Sequence, residues 1–149
     1  MPLPTLGSPA PWPAGITDHQ GRAVTLSQFA GKHVLLYFYP KDDTPGCTIE
    51  ACNFRDHHAE LPNTVILGAS LDGAASHQAF AQKFSLPFPL LVGRERALAT
   101  AFGAGEGPAD GYAKRISVLI GPDGRVKAAW PKVDPKVHWQ EVQRAVTEG

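Results

Sequence analysis

The chain has 149 residues, in which 14 Lys and Arg balance 14 Asp and Glu, so its formal net charge is zero. A chain of this length has room for one hydrophobic core, and we predict a single domain over residues 1–149. The balanced charge argues against a nucleic-acid-binding protein, because such proteins usually carry a basic excess. Two cysteines are too few for a disulfide scaffold or for a zinc site made of four thiolates.

The N-terminal segment lacks the features of a secretory signal. It has no basic start and no apolar stretch after it. The longest apolar runs, such as residues 34–39, are far shorter than the ~20 residues that cross a bilayer. We therefore expect a cytoplasmic protein without a membrane partner.

The predicted elements alternate between strands and helices. A small hairpin about the turn at 18–21 comes first, and a helical turn at 26–30 follows it. The later predictions, in chain order, are a strand at 33–39, a helix at 45–60, a strand at 64–70, a helix at 74–84, a strand at 88–92, a helix at 95–102, a hairpin of strands 116–120 and 126–130, and a helix at 135–147. This order predicts an α/β fold, with a central mixed β-sheet flanked by helices and an N-terminal hairpin.

Residues 40–55 contain both cysteines, and a helix is predicted to begin among them. Thr44 is a favourable N-cap residue and Pro45 suits the first helical position, so Cys47 falls at the third. The unpaired amides and the dipole of a first helical turn stabilise an anion at this place. Because the thiolate is the nucleophilic form of cysteine, the sequence predicts that Cys47 is reactive.

The helix face that contains Cys47 is mostly apolar. Spacings of four and three place on this face Cys47, Ala51, Phe54, His58 and Leu61. We therefore expect Cys47 to be sheltered where the core meets the helix start. The alternative interpretation is a buried structural cysteine, since cysteine is among the most frequently buried residues.

Cys52 follows Cys47 by five residues and lies on a different face of the same predicted helix. In an intact helix this separation places the two Cα atoms ~8.6 Å apart. Disulfides rarely join Cα atoms that are more than ~6.8 Å apart. If the two cysteines are redox partners, the first turns must unwind, and Gly46 weakens these turns by roughly 1 kcal/mol relative to alanine.

Residues 37–52 read Tyr-Phe-Tyr-Pro-Lys-Asp-Asp-Thr-Pro-Gly-Cys-Thr-Ile-Glu-Ala-Cys. This segment closely resembles the active-site segment of peroxiredoxins, in particular of the Q-type, or bacterioferritin comigratory protein, subgroup. The family hallmark Pro-x-x-x-Thr-x-x-Cys is matched by Pro40, Thr44 and Cys47. The resemblance covers nearly the whole chain, and Arg115 opens a strand that matches the one with the family's active-site arginine. It implies a thioredoxin-like fold.

The resemblance implies a thiol-dependent peroxidase, an atypical 2-Cys enzyme for hydrogen peroxide and organic hydroperoxides. Cys47 would attack the peroxide and become a sulfenic acid, and Cys52 would resolve it as an intramolecular disulfide. Thioredoxin or a similar dithiol would then reduce the disulfide. No cofactor would be needed, because thiol chemistry supplies both electrons. The family includes monomers and dimers, so the expected state is a monomer or a weak homodimer.

Other residues of this segment receive implied roles. Thr44 would hydrogen-bond the peroxide, Pro40 would shield the pocket, and Arg115 would stabilise the thiolate. Glu50 would orient Arg115 or, as an equal alternative, be an exposed carboxylate. Backbone amides would complete the electrostatic site. The substrate-binding residues implied by the resemblance are Thr44, Gly46, Cys47 and Arg115.

Three other functions compete with this interpretation. A zinc site could be built from Cys47, Cys52, His57 and His58, but the two histidines point to different helix faces. They are expected instead to be solvent-facing and helix-packing residues, and no metal ligand is predicted. A thiol–disulfide reductase or chaperone on the same fold would usually carry Cys-x-x-Cys, which the sequence lacks. A non-enzymatic binding module would keep its function in a Cys47→Ser variant.

Overall fold

The structure is a computed structural model that describes residues 3–92, 97–105 and 113–147. The strands are β1 (His33–Phe38), β2 (Thr64–Ser70), β3 (Leu90–Val92), β4 (Ser117–Ile120) and β5 (Val126–Trp130). The helices are α1 (Pro45–His57), α2 (Ala74–Phe84), α3 (Ala97–Phe102) and α4 (His138–Thr147), and 3₁₀ turns cover Leu26–Phe29 and His58–Glu60. Within the described ranges, no helix is long and apolar enough to cross a membrane.

The strands form one mixed sheet in the order β3-β2-β1-β4-β5. β1 pairs in parallel with β2, and β2 with β3, because α1 and α2 make the crossover connections. β4 pairs antiparallel with both β1 and β5. The predicted mixed sheet with flanking helices is therefore confirmed. The N-terminal hairpin is also present, as a bridge between Thr17 and Ala23.

The central strand β1 is buried on both of its faces. All of its residues after the first are buried, which explains its continuous apolar sequence. Because side chains alternate along a strand, Leu36 and Phe38 enter one core while Leu35 and Tyr37 enter the other. The second core also contains Cys47. One face of the sheet therefore packs in the same core as the start of α1.

The predicted elements differ from the observed ones mainly at their ends. The strand predicted at 88–92 begins at Leu90, because Pro89 has no amide hydrogen to donate to the sheet. The helix predicted at 135–147 begins at His138, because residues 134–137 form a turn in which the amide of His138 donates to Asp134 O. The helix predicted at 95–102 is observed from Ala97, and residues 95–96 lie outside the described part of the chain.

The predicted apolar face of α1 is confirmed with one exception. Cys47, Ala51, Phe54 and Leu61 are buried. His58 is exposed, so its predicted place on the core face is wrong. The α-helix ends one residue before it, and the 3₁₀ turn that follows has a different number of residues per turn. The helical spacing therefore no longer applies at this position.

Candidate active site

The first turn of α1 begins where the loop after β1 ends. Thr44 occupies the N-cap position, Pro45 begins the helix and Cys47 is third, as predicted. Among the described residues, however, the Thr44 side chain makes no capping hydrogen bond, and its Oγ1 donates to Lys41 O at 2.8 Å. The first-turn amides of α1 are therefore not occupied by this hydroxyl and can face an anion.

The Cys47 thiol is sheltered and lies beside a cation. Its residue is 1% exposed, in agreement with the expected position at the edge of the core. Arg115 Nη2 donates to Cys47 Sγ at 3.3 Å, although 68 residues separate the two along the chain. Antiparallel pairing with β1 places the start of β4 beside the end of β1, and the amide of Phe38 donates to Ile116 O at 2.8 Å. The sheet thus brings Arg115 to the helix start.

Glu50 holds the other side of the guanidinium. Arg115 Nη1 donates to Glu50 Oε1 at 2.8 Å, and Glu50 is only 1% exposed. The alternative of an exposed helix carboxylate is therefore wrong. Burial raises the pKa of Glu50 to about 7, even though the charge and hydrogen bond of Arg115 lower it. Burial lowers the pKa of Arg115, but Cys47 and Glu50 outweigh this effect and raise it overall.

Gly46 allows the guanidinium to lie close to the helix. A Cβ atom at this position would lie 3.0 Å from Arg115 Nη2, which is tighter than a normal contact. The same Cβ would lie 3.8 Å from Pro135 Cγ. The absence of a side chain at Gly46 therefore helps to keep Arg115 within hydrogen-bond distance of Cys47.

Cys52 is a free thiol on the same unbroken helix as the free thiol of Cys47. Cys52 is half-buried. Helix geometry places its Cα atom ~8.6 Å from that of Cys47. This Cα separation exceeds that of ordinary disulfides. A bond between the two sulfurs therefore requires α1 to change shape.

The half of α1 that follows Cys52 is anchored to the rest of the fold. Asn53 Nδ2 donates to the carbonyl oxygens of residues 135 and 136, at 3.2 and 3.1 Å. Arg55 Nη1 donates to Phe84 O, at the end of α2, at 2.7 Å. These anchors leave the first turns of α1 as the part that can unwind without releasing the whole helix.

The histidines of the alternative zinc site have other neighbours. The His57 ring stacks on Trp139, with 3.7 Å between ring centroids, and its Nδ1 lies 2.5 Å from Glu60 Oε2. The two expected places are therefore reversed: His57 packs on a neighbouring helix and His58 faces solvent. In the described part of the chain, no three His, Cys, Asp or Glu residues are grouped so that they could hold a metal ion.

Two buried polar residues close to the site received no role from the sequence. Asp42, in the loop before α1, contacts His77 of α2, and both side chains are buried. The available local signal was a charged residue in the short loop between a buried strand and a helix cap. Its partner could not be identified, because 35 residues separate the two.

The chain is similar to proteins of one known family. A model of the AhpC/TSA family matches residues 6–129. The chain is 42% identical over 130 residues to the putative peroxiredoxin bcp of Coxiella burnetii, covering 83% of this chain and 86% of that protein. It is 44% identical over 139 residues to the peroxiredoxin Bcp of Bacillus subtilis, covering 88% and 87%.

Solved structures agree with these sequence matches. The bacterioferritin comigratory protein of Xanthomonas campestris, studied for its alkyl peroxide reduction activity, superposes with a TM-score of 0.83 at 34% identity, over 89% of each chain. A mutant peroxiredoxin Q of Xylella fastidiosa superposes with a TM-score of 0.84 at 30% identity, over 97% of this chain and 96% of the other. The mixed sheet and its helices therefore form the thioredoxin-like fold of these structures.

Proposed function

The chain is a peroxiredoxin of the AhpC/TSA family, and from this membership we propose that it reduces hydrogen peroxide and organic hydroperoxides through Cys47. The observation that carries the proposal is the hydrogen bond from Arg115 Nη2 to Cys47 Sγ in the first turn of α1. A cation and a helix N-terminus at one buried sulfur favour the thiolate, which is the nucleophile. The activity named for the Xanthomonas relative supports the inclusion of organic hydroperoxides.

In the first step, the Cys47 thiolate attacks one oxygen of the peroxide. An S–O bond forms, the O–O bond breaks, and the leaving oxygen takes a proton and departs as water or an alcohol. The sulfur loses two electrons and becomes a sulfenic acid. Thr44 would hydrogen-bond the peroxide, Pro40 would shield it from water, and amides near Gly46 with Arg115 would stabilise the developing charge.

In the second step, Cys52 attacks the oxidised Cys47 sulfur. An S–S bond forms and the sulfenic oxygen leaves as water. Because the intact helix separates the two residues, the first turns of α1 unwind while Asn53 and Arg55 hold the second half in place. Thioredoxin or a similar dithiol then supplies two electrons and restores both thiols. This cycle suits the cytoplasm, where such reductants keep thiols reduced.

A single-turnover experiment tests this cycle on the unaltered protein. Reduced protein, mixed with peroxide and no reductant, should consume one peroxide per chain and lose both free thiols. Peptide mapping should then identify a Cys47–Cys52 linkage, and thioredoxin should restore turnover. Failure to consume peroxide would contradict the peroxidase function. Consumption of peroxide with no such linkage would contradict only the assignment of Cys52.

The buried carboxyl of Glu50 makes the unwinding of α1 depend on pH. In the wound helix its pKa is about 7, chiefly because of burial, whereas in water the ordinary value is 4.5. The wound helix therefore binds this proton more tightly than the unwound one. The free energy by which this proton stabilises the wound helix is fully present below pH 4.5. It is lost as the pH rises through about 7. The loss approaches about 3 kcal/mol, so unwinding becomes easier as the pH rises.

Native-state hydrogen exchange of the amides of residues 48–51, which are the first to be hydrogen-bonded within α1, can measure this effect. The opening free energy should fall by about 2 to 3 kcal/mol between about pH 5 and about pH 8 in the unaltered protein. A Glu50→Gln variant keeps an oxygen for Arg115 but cannot ionise, so its fall should be much smaller. Equal falls in both would contradict the role of Glu50.

A further inference from the structure

The loop between β1 and α1, residues 40–44, is held at its middle residue by buried hydrogen bonds. Asp42 is 7% exposed. Its Oδ1 accepts from Tyr39 Oη at 2.6 Å, and its Oδ2 accepts from Ser76 Oγ at 2.8 Å. His77 Nδ1 lies 2.7 Å from the same Oδ2, and the His77 ring is fully buried. One carboxylate thus joins the loop to the end of β1 and to α2.

The partners of the His77 ring assign its protons. His77 Nε2 lies 2.8 Å from Leu91 O, and a carbonyl oxygen only accepts, so Nε2 carries hydrogen. Burial alone would raise the pKa of Asp42, but the bonds and charge of His77, with bonds from Tyr39 and Ser76, lower it overall. His77 Nδ1 and Asp42 Oδ2 are thus joined by a hydrogen bond of 2.7 Å, and the two buried side chains form a polar pair.

The backbone of the loop is fixed at the same place. The amide of Asp42 donates to Asp72 Oδ2 at 2.9 Å, and Ser70 Oγ donates to that oxygen at 2.6 Å. The next residue, Asp43, has a φ of 57°, in the left-handed region. Thr44, the N-cap of α1, follows directly. Only one residue therefore separates the fixed point from the side chain that would hold the peroxide.

We propose that the buried Asp42–His77 pair positions the peroxide-binding loop, so that Asp42 and His77 are positioning residues for the peroxide step. This inference rests on the peroxidase function proposed above. A displacement of ~1 Å in a binding group can slow a reaction by ~100-fold. The pair acts on Cys47 only through the loop, because the partners named here lie directly after β1, at and after the end of β2, in α2 and in β3.

The buried Asp42–His77 pair also bears on the unwinding of α1. None of the partners described above belongs to α1, so unwinding of the first turns of α1 leaves these contacts in place. The loop up to Asp42 is then the fixed upstream end of the moving segment, as Asn53 is its downstream anchor. After reduction of the disulfide, α1 rewinds onto a loop that has kept its shape.

An Asp42→Asn variant tests the positioning role. The rate constant for oxidation by hydrogen peroxide should fall by about 10-fold or more, while that for reduction by thioredoxin stays within about 2-fold. The matched control is Asp123→Asn, which makes the same charge change in the turn between β4 and β5. Asp123 is exposed, and an asparagine oxygen can still accept from the amide of Arg125, so both rate constants should be unchanged.

The outcomes separate this inference from the function on which it rests. An unaltered protein that does not reduce peroxide would contradict the proposed function itself. An active unaltered protein with an equally active Asp42→Asn variant, or with both rate constants lowered in parallel, would overturn the positioning role. If Asp42→Asn does not fold, the Ser76→Ala variant tests the positioning role instead. It removes one donor at an exposed helix residue, and the peroxide rate constant alone should fall by about 3-fold.

Discussion

A Cys47→Ser variant is expected to lose peroxide reduction, with the rate constant lowered by about a thousand-fold or more. The serine hydroxyl stays protonated at neutral pH, so the helix start and Arg115 have no anion to stabilise. The fold should be kept, because serine is close to cysteine in size and Arg115 can donate to its oxygen as it does to Cys47 Sγ at 3.3 Å. Stopped-flow measurement of peroxide loss, with circular dichroism for the fold, checks this expectation.

The companion variant Cys52→Ser separates the two chemical steps. It should consume one peroxide per chain at the rate of the unaltered protein and then stop, because the sequence holds no other cysteine to resolve the sulfenic acid. A reagent that labels sulfenic acids should then modify Cys47. Repeated turnover of Cys52→Ser with thioredoxin would contradict the resolving role of Cys52. Unchanged peroxide loss in Cys47→Ser would contradict a peroxidase that acts through Cys47. It would leave the non-enzymatic binding module as the better interpretation.

Local sequence signals predicted the elements that depend on local physics. The start of α1 follows from Thr44 and Pro45, and the structure begins the helix at that point. The strand at 33–39 follows from an apolar run that suits burial on both faces, and β1 is buried in this way. The sheltered position of Cys47 follows from helical periodicity. Each of these predictions needs only residues close together in the chain.

The features that sequence could not settle depend on residues far apart in the chain. The sequence was equally compatible with a Glu50 that orients Arg115 and with an exposed Glu50. The contact with Arg115, which lies 65 residues further along the chain, decides between the two. The Asp42–His77 contact likewise joins two segments that no periodicity connects. Propensity also misjudged one local contact, since the Thr44 hydroxyl donates to Lys41 O instead of capping the helix. The site thus combines a local nucleophile with distant charges that the sheet topology supplies.

Replacing Arg115 with alanine is expected to lower the peroxide rate constant by about a hundred- to a thousand-fold. The variant removes the donor to Cys47 Sγ and leaves the buried carboxyl of Glu50 without its cation. Both changes weaken the stabilisation of negative charge at the sulfur and on the leaving oxygen. Alkylation of Cys47 by iodoacetamide, followed against pH, reports the thiolate without peroxide. If the rate constant with peroxide falls more than the rate constant of alkylation, the difference measures how Arg115 acts on the peroxide, apart from its effect on the thiolate.

Two further variants separate charge from geometry at Arg115. Arg115→Lys keeps the positive charge, but one ammonium cannot reproduce the fork that reaches Cys47 and Glu50 together, so its rate should lie between those of alanine and arginine. Arg125→Ala removes an arginine of the turn between β4 and β5, whose Nη1 donates to Gly7 O, and should leave the rate unchanged. A lysine variant as fast as the unaltered protein would show that positive charge alone is sufficient. In that case the orientation of the Arg115 guanidinium by Glu50 would not contribute to the rate of the peroxide step.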